Sequence, residues 1–149
     1  MEDGQQTIHT RIGEIIIDPK RIVHFPRGLI GFEKYRDFVL LQVREESPFL
    51  LLQSTQDQEL GLLLTDPYVF VQDYSIKIGA AEEKVLGTAR KEDLAVLVTV
   101  SIPEGRPDRT TLNLTGPIVI NSRLQVGIQV PQVTPNTPSH FVIKEQQAL

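Results

Sequence analysis

The chain has 149 residues, with 15 basic and 19 acidic side chains and a formal net charge of −4 at pH 7. Hydrophobic cores stop growing at roughly 250 residues, so this length predicts one domain. The acidic balance disfavours binding to nucleic acid, which needs clustered Lys and Arg, and the absence of cysteine excludes a disulfide, a thiolate metal site and a cysteine nucleophile.

An alternation of apolar and polar residues with a period of two dominates the chain. It predicts β-strands, because successive strand side chains point to opposite faces. Three nearly continuous apolar runs predict more fully buried strands. In chain order, the strand-like segments are residues 8–16, 38–43, 49–53, 60–65, 74–78, 94–102, 110–121 and 124–130. The even-numbered residues of segments 94–102 and 124–130 are expected to face one common core.

Two local signals interrupt the strand pattern. Residues 80–86 have a helical pattern with charged residues on one side, and Gly87 is typical of a helix C-terminus. Pro117 lies inside a strand-like stretch and follows Gly116. Because proline cannot donate to a strand ladder, a bulge or an edge is expected there.

The number and spacing of the strands predict the fold. Eight or nine short strands separated by turns favour an all-β fold, a small antiparallel β-barrel with one short helix, and a two-sheet β-sandwich is the alternative. Residues 1–130 are predicted to form this single domain. Residues 131–149 begin with a proline-rich stretch and are predicted to be a C-terminal tail, mobile unless it docks on the barrel.

Side chains that carry catalysis or hold metals form no recognised motif. His9, His24 and His140 each lack a second ligand at metal-binding spacing, and there is no nucleophile elbow, phosphate loop or dinucleotide fingerprint. We therefore expect no enzyme activity, no metal and no cofactor. The polar N-terminus and the lack of an apolar run of about 18 residues predict a cytoplasmic protein that does not cross a membrane.

The acidic side chains are unevenly distributed. Residues 31–66 carry seven acidic and three basic side chains, which accounts for the whole net charge of −4. One interpretation is ordinary solvation of turns between apolar strands. The other is an acidic surface for a basic partner. Its candidate residues lie in two turns that flank the strand-like segment 49–54: Glu45, Glu46, Asp57 and Glu59.

Residues 25–32, which we call the glycine–proline loop, combine a rigid backbone with apolar side chains. Pro26 fixes its own φ, and Gly28 and Gly31 permit turns that other residues disfavour. We predict that one of these glycines has a conformation that is awkward for other residues. The loop serves either as a plug at one barrel end or as a partner-binding loop, through the apolar residues Phe25, Leu29, Ile30 and Phe32.

The same loop resembles the Phe-Pro-x-Gly-Leu-x-Gly-Phe segment of the FliW family of flagellar assembly factors. The resemblance continues in order from about residue 7 to residue 130. Two departures from the family pattern are Thr-Leu-Asn-Leu-Thr-Gly-Pro at residues 111–117, where Ala-Asn-Leu-x-Ala-Pro is expected, and the C-terminus from Val133. The segments that carry the resemblance are residues 11–15, 22–32, 47–54, 64–70, 73–74, 94–100 and 112–121.

The resemblance implies a non-enzymatic regulator that acts in the cytoplasm of flagellated bacteria. Such proteins bind newly made flagellin and also bind CsrA, an RNA-binding translational repressor, and the two partners compete. Export of flagellin then frees the assembly factor to antagonise the repressor away from its RNA-binding face. The resemblance implies no direct contact with nucleic acid.

A different class of function also fits the residues. A small β-barrel can bind a small molecule or a carbohydrate in an apolar pocket at its mouth. The aromatic residues expected to line such a pocket are Phe25, Phe32, Tyr68 and Phe70.

Overall fold

The computed structural model describes residues 5–88, 90–133 and 137–143. These contain one helix, α1 (Ala80–Leu86), and short 3-10 turns at Pro19–Arg21, Pro67–Val69, Lys91–Asp93 and Pro107–Arg109. The strands are β1 (Gln6–Thr10), β2 (Gly13–Ile17), β3 (Ile22–His24), β4 (Asp37–Gln42), β5 (Phe49–Ser54), β6 (Gly61–Thr65), β7 (Leu94–Ser101), β8 (Thr111–Asn121), β9 (Val126–Gln129) and β10 (Phe141–Val142).

Seven strands form a closed barrel. They follow the order β8-β7-β6-β5-β4-β3-β9, and β9 pairs back onto β8. Neighbouring strands are antiparallel except at the seam between β3 and β9, where His24 pairs with Val126 in parallel. The predicted barrel is thus confirmed over its alternative, the sandwich. Closure removes most of the unpaired backbone that an open sheet would expose at its edges.

The barrel interior is filled by apolar side chains from β3 to β8 and from the glycine–proline loop. Phe25 and Phe38 are both fully buried, and their rings meet edge to face with centroids 5.5 Å apart. Such a pair stabilises beyond its buried area. The buried members of this interior cluster are Val23, Phe25, Leu29, Phe38, Leu52, Leu60, Leu64, Leu97, Ile118 and Ile120.

The outside of the barrel wall carries three further apolar clusters. The β1–β2 hairpin covers β4 through Ile8, Ile17 and Val39. Helix α1 covers β8 and β9, where Leu86 packs with Ile128 and its neighbours. A third cluster joins residues of β7 and β8 to the segment after the Pro67–Val69 turn and to the residue that follows β10. Its buried members are Phe70, Val98, Val100, Leu112, Leu114 and Ile143.

The expectation of one common core for the even-numbered residues of β7 and β9 is wrong in part. Val98 lies in the third outer cluster, whereas Ile128 lies under α1. Leu124 is 50% exposed and Ile102 is 45% exposed, because they fall just outside β9 and β7. Alternation identifies the two faces of a strand, but a barrel wall with covering segments buries both faces, so alternation alone does not show which face is interior.

The two local signals are confirmed. Helix α1 ends at Gly87, whose φ is +77° and whose N–H donates to the Glu83 carbonyl. The β7–β8 register shifts between Leu97 and Thr99, beside the part of β8 that contains Pro117. No helix in the described ranges is long and apolar enough to cross a membrane.

Part of the segment predicted as a tail docks on the barrel. Strand β10 pairs with the start of β8, Leu114 donates its N–H to the Pro138 carbonyl, and Ile143 is fully buried. The remainder of that tail, at residues 134–136 and 144–149, lies outside the described residues.

Candidate partner-binding surfaces

The glycine–proline loop folds back on itself through two tight turns. The N–H of Gly28 donates to the Phe25 carbonyl at 2.9 Å, and that of Phe32 donates to the Leu29 carbonyl at 2.8 Å. Gly28 has a φ of +66° and Gly31 a φ of +90°, which confirms the prediction of a backbone conformation that favours glycine. The side chain of Gln129 also holds the loop, because its Oε1 accepts from the Ile30 N–H at 2.9 Å.

This loop both plugs the barrel and presents apolar surface. Phe25 and Leu29 are buried in the interior cluster, as the plug interpretation predicts, so in this structure neither offers a surface to a partner. Ile30 is 57% exposed and Phe32 is 40% exposed. The exposed half of the loop is therefore a rigid apolar projection, anchored by Phe25 and Leu29 in the barrel interior.

The two acidic turns lie at opposite ends of β5. Glu45 and Glu46 are exposed in the turn before β5, and Glu59 is exposed in the turn after it. Asp57 is half-buried, and its Oδ1 accepts from the Glu59 N–H at 3.0 Å. Part of the Asp57 carboxylate is thus used to form its own turn, while the three glutamates are free to face a partner.

The turn after β5 is organised by Gln53, a residue that the sequence analysis did not single out. Gln53 is fully buried. Its Oε1 accepts from the Arg11 N–H at 3.0 Å, and its Nε2 donates to the carbonyls of Ser54, Asp57 and Gln58 at 3.1, 3.1 and 3.2 Å. One amide thus ties the β1–β2 hairpin to the second acidic turn. A glutamine at the end of an apolar strand run was the available signal.

The aromatic pocket expected at the barrel mouth is not formed. Phe25 lies inside the barrel, and Phe70 packs in the third outer cluster, stacked on Phe49 with centroids 6.5 Å apart. Phe32 is exposed on the loop. Because Phe25 lies inside the filled barrel and Phe32 and Phe70 lie outside it, these residues do not come together at the barrel mouth. Tyr68 lines a cavity that lies elsewhere.

That cavity, which we call the edge groove, lies outside the wall beside β7. It has a volume of about 890 Å³ and runs between residues 94–97 and residues 74–78. Its apolar lining includes Ile76, Ile78 and Val96. A groove of this size lies within the range of ligand sites in proteins.

Two tyrosines close one end of the edge groove. The rings of Tyr68 and Tyr74 lie 5.9 Å apart, and the Tyr74 hydroxyl donates to the Leu114 carbonyl at 2.6 Å. Burial raises the pKa of Tyr74 to about 12 and, together with the nearby carboxylate of Asp66, also raises the pKa of Tyr68. Both hydroxyls therefore remain protonated and uncharged at neutral pH.

The titratable side chains of the described residues bear on whether a metal could be held or a nucleophile activated. No group of three or more His, Asp or Glu side chains there could hold a metal ion. His24 and Asp37 pair at 2.8 Å on the surface, but no hydroxyl nucleophile forms part of that pair. The fold and these surfaces define a class of protein: a small closed β-barrel whose exposed features are an apolar loop, acidic turns and an open groove.

Comparison with known proteins identifies the family. The family model described as "FliW protein" matches residues 6–143. The flagellar assembly factor FliW of Nitratidesulfovibrio vulgaris is 52% identical over 141 residues, covering 95% of this chain and 82% of that protein. The flagellar assembly factor FliW of Desulfovibrio desulfuricans is 53% identical over 127 residues, covering 84% of this chain and 76% of that protein.

The fold comparison agrees. A crystal structure of the flagellar assembly factor FliW superposes with a TM-score of 0.86 at 34% sequence identity, covering 92% of this chain and 96% of that one. The chain belongs to the FliW family. The family match extends past residue 130 to Ile143, so it includes the docked part of the C-terminal segment.

Replacing Gly28 by alanine should destabilise the protein more than the same change at Gly31. Both glycines have positive φ, which costs a residue with a Cβ roughly 1 kcal/mol. At Gly28 a Cβ would also lie 2.6 Å from the Glu33 Cα, whereas at Gly31 nothing lies within 4 Å. We expect losses of about 2 kcal/mol for Gly28→Ala and about 1 kcal/mol for Gly31→Ala in chemical denaturation. Equal losses would mean that the loop backbone shifts freely.

Proposed function

We propose that this protein is a cytoplasmic flagellar assembly factor that binds flagellin and antagonises the translational repressor CsrA without catalysing a reaction. The observation that carries the proposal is the family match over residues 6–143, together with relatives named flagellar assembly factor at up to 53% identity. Because two protein partners compete for it, export of one would release the protein to act on the other. Flagellin synthesis would in this way follow flagellin export.

The exposed half of the glycine–proline loop supports an apolar contact with flagellin. Ile30 and Phe32 project from a backbone that is fixed by its turns and by Gln129. A rigid apolar projection loses little conformational entropy on binding, so more of its buried area appears as affinity. We assign this loop to flagellin because it carries little of the charge that a basic partner would select.

The acidic turns support an electrostatic contact with the repressor. The exposed carboxylates Glu45, Glu46 and Glu59 belong to the segment that carries the whole net charge. Complementary charge mainly speeds association and selects the partner. Since the two turns lie at opposite ends of β5, one partner contact uses one turn unless the partner spans the length of that strand.

Capture of flagellin tests the proposal directly. The purified protein is mixed with flagellin and CsrA from the same genome, and complexes are separated by size-exclusion chromatography. We expect one-to-one capture of flagellin and displacement of CsrA by excess flagellin. An Ile30→Ser, Phe32→Ser double variant should lose flagellin while keeping its fold, because both side chains are exposed. Failure of the parent protein to retain either partner would contradict the proposal.

Charge reversal separates the two acidic turns. Glu45→Lys with Glu46→Lys, and Asp57→Lys with Glu59→Lys, are compared in association kinetics with CsrA at two salt concentrations. At the operative turn we expect association to slow by about tenfold at low salt and its salt dependence to flatten. Flagellin binding should change less than about twofold. If neither pair alters association with CsrA, both turns are simply solvated.

A further inference from the structure

Strand β7 has an unpaired backbone edge inside the edge groove. Strand β6 pairs with β7 only at Leu64–Thr99 and Thr65–Val98, so residues 94–97 have no strand neighbour on that side. In the same register, Pro67 would lie opposite Val96 and would be the next residue of β6 to form hydrogen bonds with β7. Pro67 has no N–H and begins the Pro67–Val69 turn, which ends β6 and leaves the edge of β7 open.

The register of the neighbouring strands shows which backbone groups are free. The N–H of Val130 donates to the Pro117 carbonyl at 2.9 Å, so odd-numbered residues in this half of β8 direct their backbone to β9 and even-numbered ones to β7. Ile118 and Ile120 face Leu97 and Ala95. The backbone of Val96 therefore points away from β8, toward the groove.

Within the described residues, the backbone groups of Val96 and Leu94 that face the groove form one hydrogen bond in all. The backbone N–H and carbonyl of Val96 take part in no hydrogen bond on the groove side. Leu94 uses its N–H to reach the Lys91 carbonyl, and its own carbonyl is left over. Three backbone groups, one donor and two acceptors, thus line the groove at the spacing of a strand.

We propose that the edge groove binds an extended segment of a protein partner, which adds to β7 as an antiparallel strand in place of the missing continuation of β6. Only a polypeptide backbone supplies donors and acceptors at this repeat, and strand addition is a common mode of peptide recognition. A residue opposite Val96 would form both of its hydrogen bonds there. Its side chain would lie on the Val96 face, against Ile76 and Ile78, so an apolar residue is required.

The charges at the two ends of the groove specify which charged residue the segment carries at each of its ends. Asp66 follows the residue that pairs with Val98, and Lys91 precedes Leu94 by three positions; both line the groove. The other two charged residues of the lining, Lys77 and Glu83, have opposite signs. An antiparallel segment has its N-terminal end at Asp66 and its C-terminal end at Lys91. The complementary segment is therefore basic, then alternately apolar, then acidic.

The described part of the C-terminal segment does not occupy the groove. Strand β10 runs antiparallel to β8 and pairs with its first residues, Thr111 and Leu112. Thr111 in turn pairs with Ser101, so β10 lies at the Ser101 end of β7 and not beside residues 94–97. We take the occupant to come from another molecule. The inference rests on the proposed function only in taking that molecule to be a protein partner.

A synthetic peptide provides the test. The probe is acetyl-Lys-Val-Thr-Val-Thr-Val-Glu-amide, whose first valine lies opposite Val96 when its lysine is at the Asp66 end, and its control carries an N-methyl group on that first valine. With the full chain labelled for NMR, we expect the probe to shift the Val96 amide and slow its hydrogen exchange. The N-methyl control should bind at least about tenfold more weakly, because it loses a hydrogen bond and blocks close approach.

A charge-reversed peptide tests the direction. The sequence with Glu first and Lys last should bind roughly threefold more weakly than the probe at low salt, and the difference should vanish near 1 M salt. Lys91→Glu, at an exposed position, should lessen this preference, with Lys91→Gln giving an intermediate result.

Two results would overturn the inference: no response at Val96 with the probe at about 1 mM, or equal binding of the probe and its N-methyl control. The second would mean that the groove takes apolar ligands without strand pairing. Either failure is distinguishable from failure of the proposed function, because flagellin capture is measured separately.

Discussion

Replacing Gly127 by alanine should lower the free energy of unfolding by about 3 kcal/mol. A Cβ at this position would lie 2.4 Å from Cε2 and 2.7 Å from Cζ of Phe25, far inside van der Waals contact. The Phe25 ring is fully buried and lies edge to face against Phe38, so moving it would disturb the interior cluster. Overpacking of a filled core typically costs 1–3 kcal/mol, and this site lies at the barrel seam, where a single residue pair joins β3 to β9.

A double variant tests whether the Phe25 ring is the cause. Phe25→Leu alone should be destabilising because it leaves space, but combined with Gly127→Ala it should restore part of the loss. Chemical denaturation of the four proteins gives the coupling energy, which we expect to be about 1–2 kcal/mol in the compensating direction. If Gly127→Ala changes stability by less than about 0.5 kcal/mol, the ring is not held as tightly as the packing indicates.

The strand pattern predicted the barrel because its cause is local. Side-chain alternation follows from backbone geometry, so the sequence shows β7 and β9 as alternating runs, and Gly87 indicates the end of α1. The face that each strand turns inward depends on which segment covers the other face. Leu97, rather than Val98, points into the barrel. This orientation follows from the pairing of β7 with β6 and β8, which cannot be derived from the residues of β7 alone.

The candidate surfaces were predictable to a lesser degree. Composition identified the acidic segment, and glycine spacing identified the positive φ angles at Gly28 and Gly31. The sequence does not predict the edge groove, because the groove results from a missing strand pairing. Pro67 indicates a turn, but only the β6–β7 register shows that this turn leaves Val96 unpaired. Gln53 was also missed, since a polar residue in a strand run has the same pattern whether it is solvated or buried.

Replacing Gln53 by leucine should also lower the free energy of unfolding by about 3 kcal/mol, because buried hydrogen bonds are lost and not because the core is overpacked. The side chains are similar in volume, but leucine would leave the Arg11 N–H and the carbonyls of Ser54 and Gln58 without the bonds that Gln53 makes to them. The Asp57 carbonyl would lose one of two donors, because it also accepts from the Leu60 N–H. A buried polar group that loses its hydrogen bond costs roughly 1–3 kcal/mol. Several are lost together here, although water can reach those at the edge of the turn. Gln56→Leu, at an exposed position of the same turn, is the matched control and should change stability by less than about 0.5 kcal/mol.

The same variant links stability to the acidic surface. Because Gln53 holds the backbone of Asp57 and Gln58, its loss should raise hydrogen exchange across that turn before the barrel unfolds. The first acidic turn, at the far end of β5, should keep its protection. If CsrA uses the turn that contains Glu59, Gln53→Leu should weaken repressor binding several-fold without removing a charge, since the carboxylates would then be ordered only on binding. Unchanged exchange in that turn would mean that the hydroxyl of Ser54, which accepts from the N–H groups of Gln56 and Asp57, is sufficient to hold it.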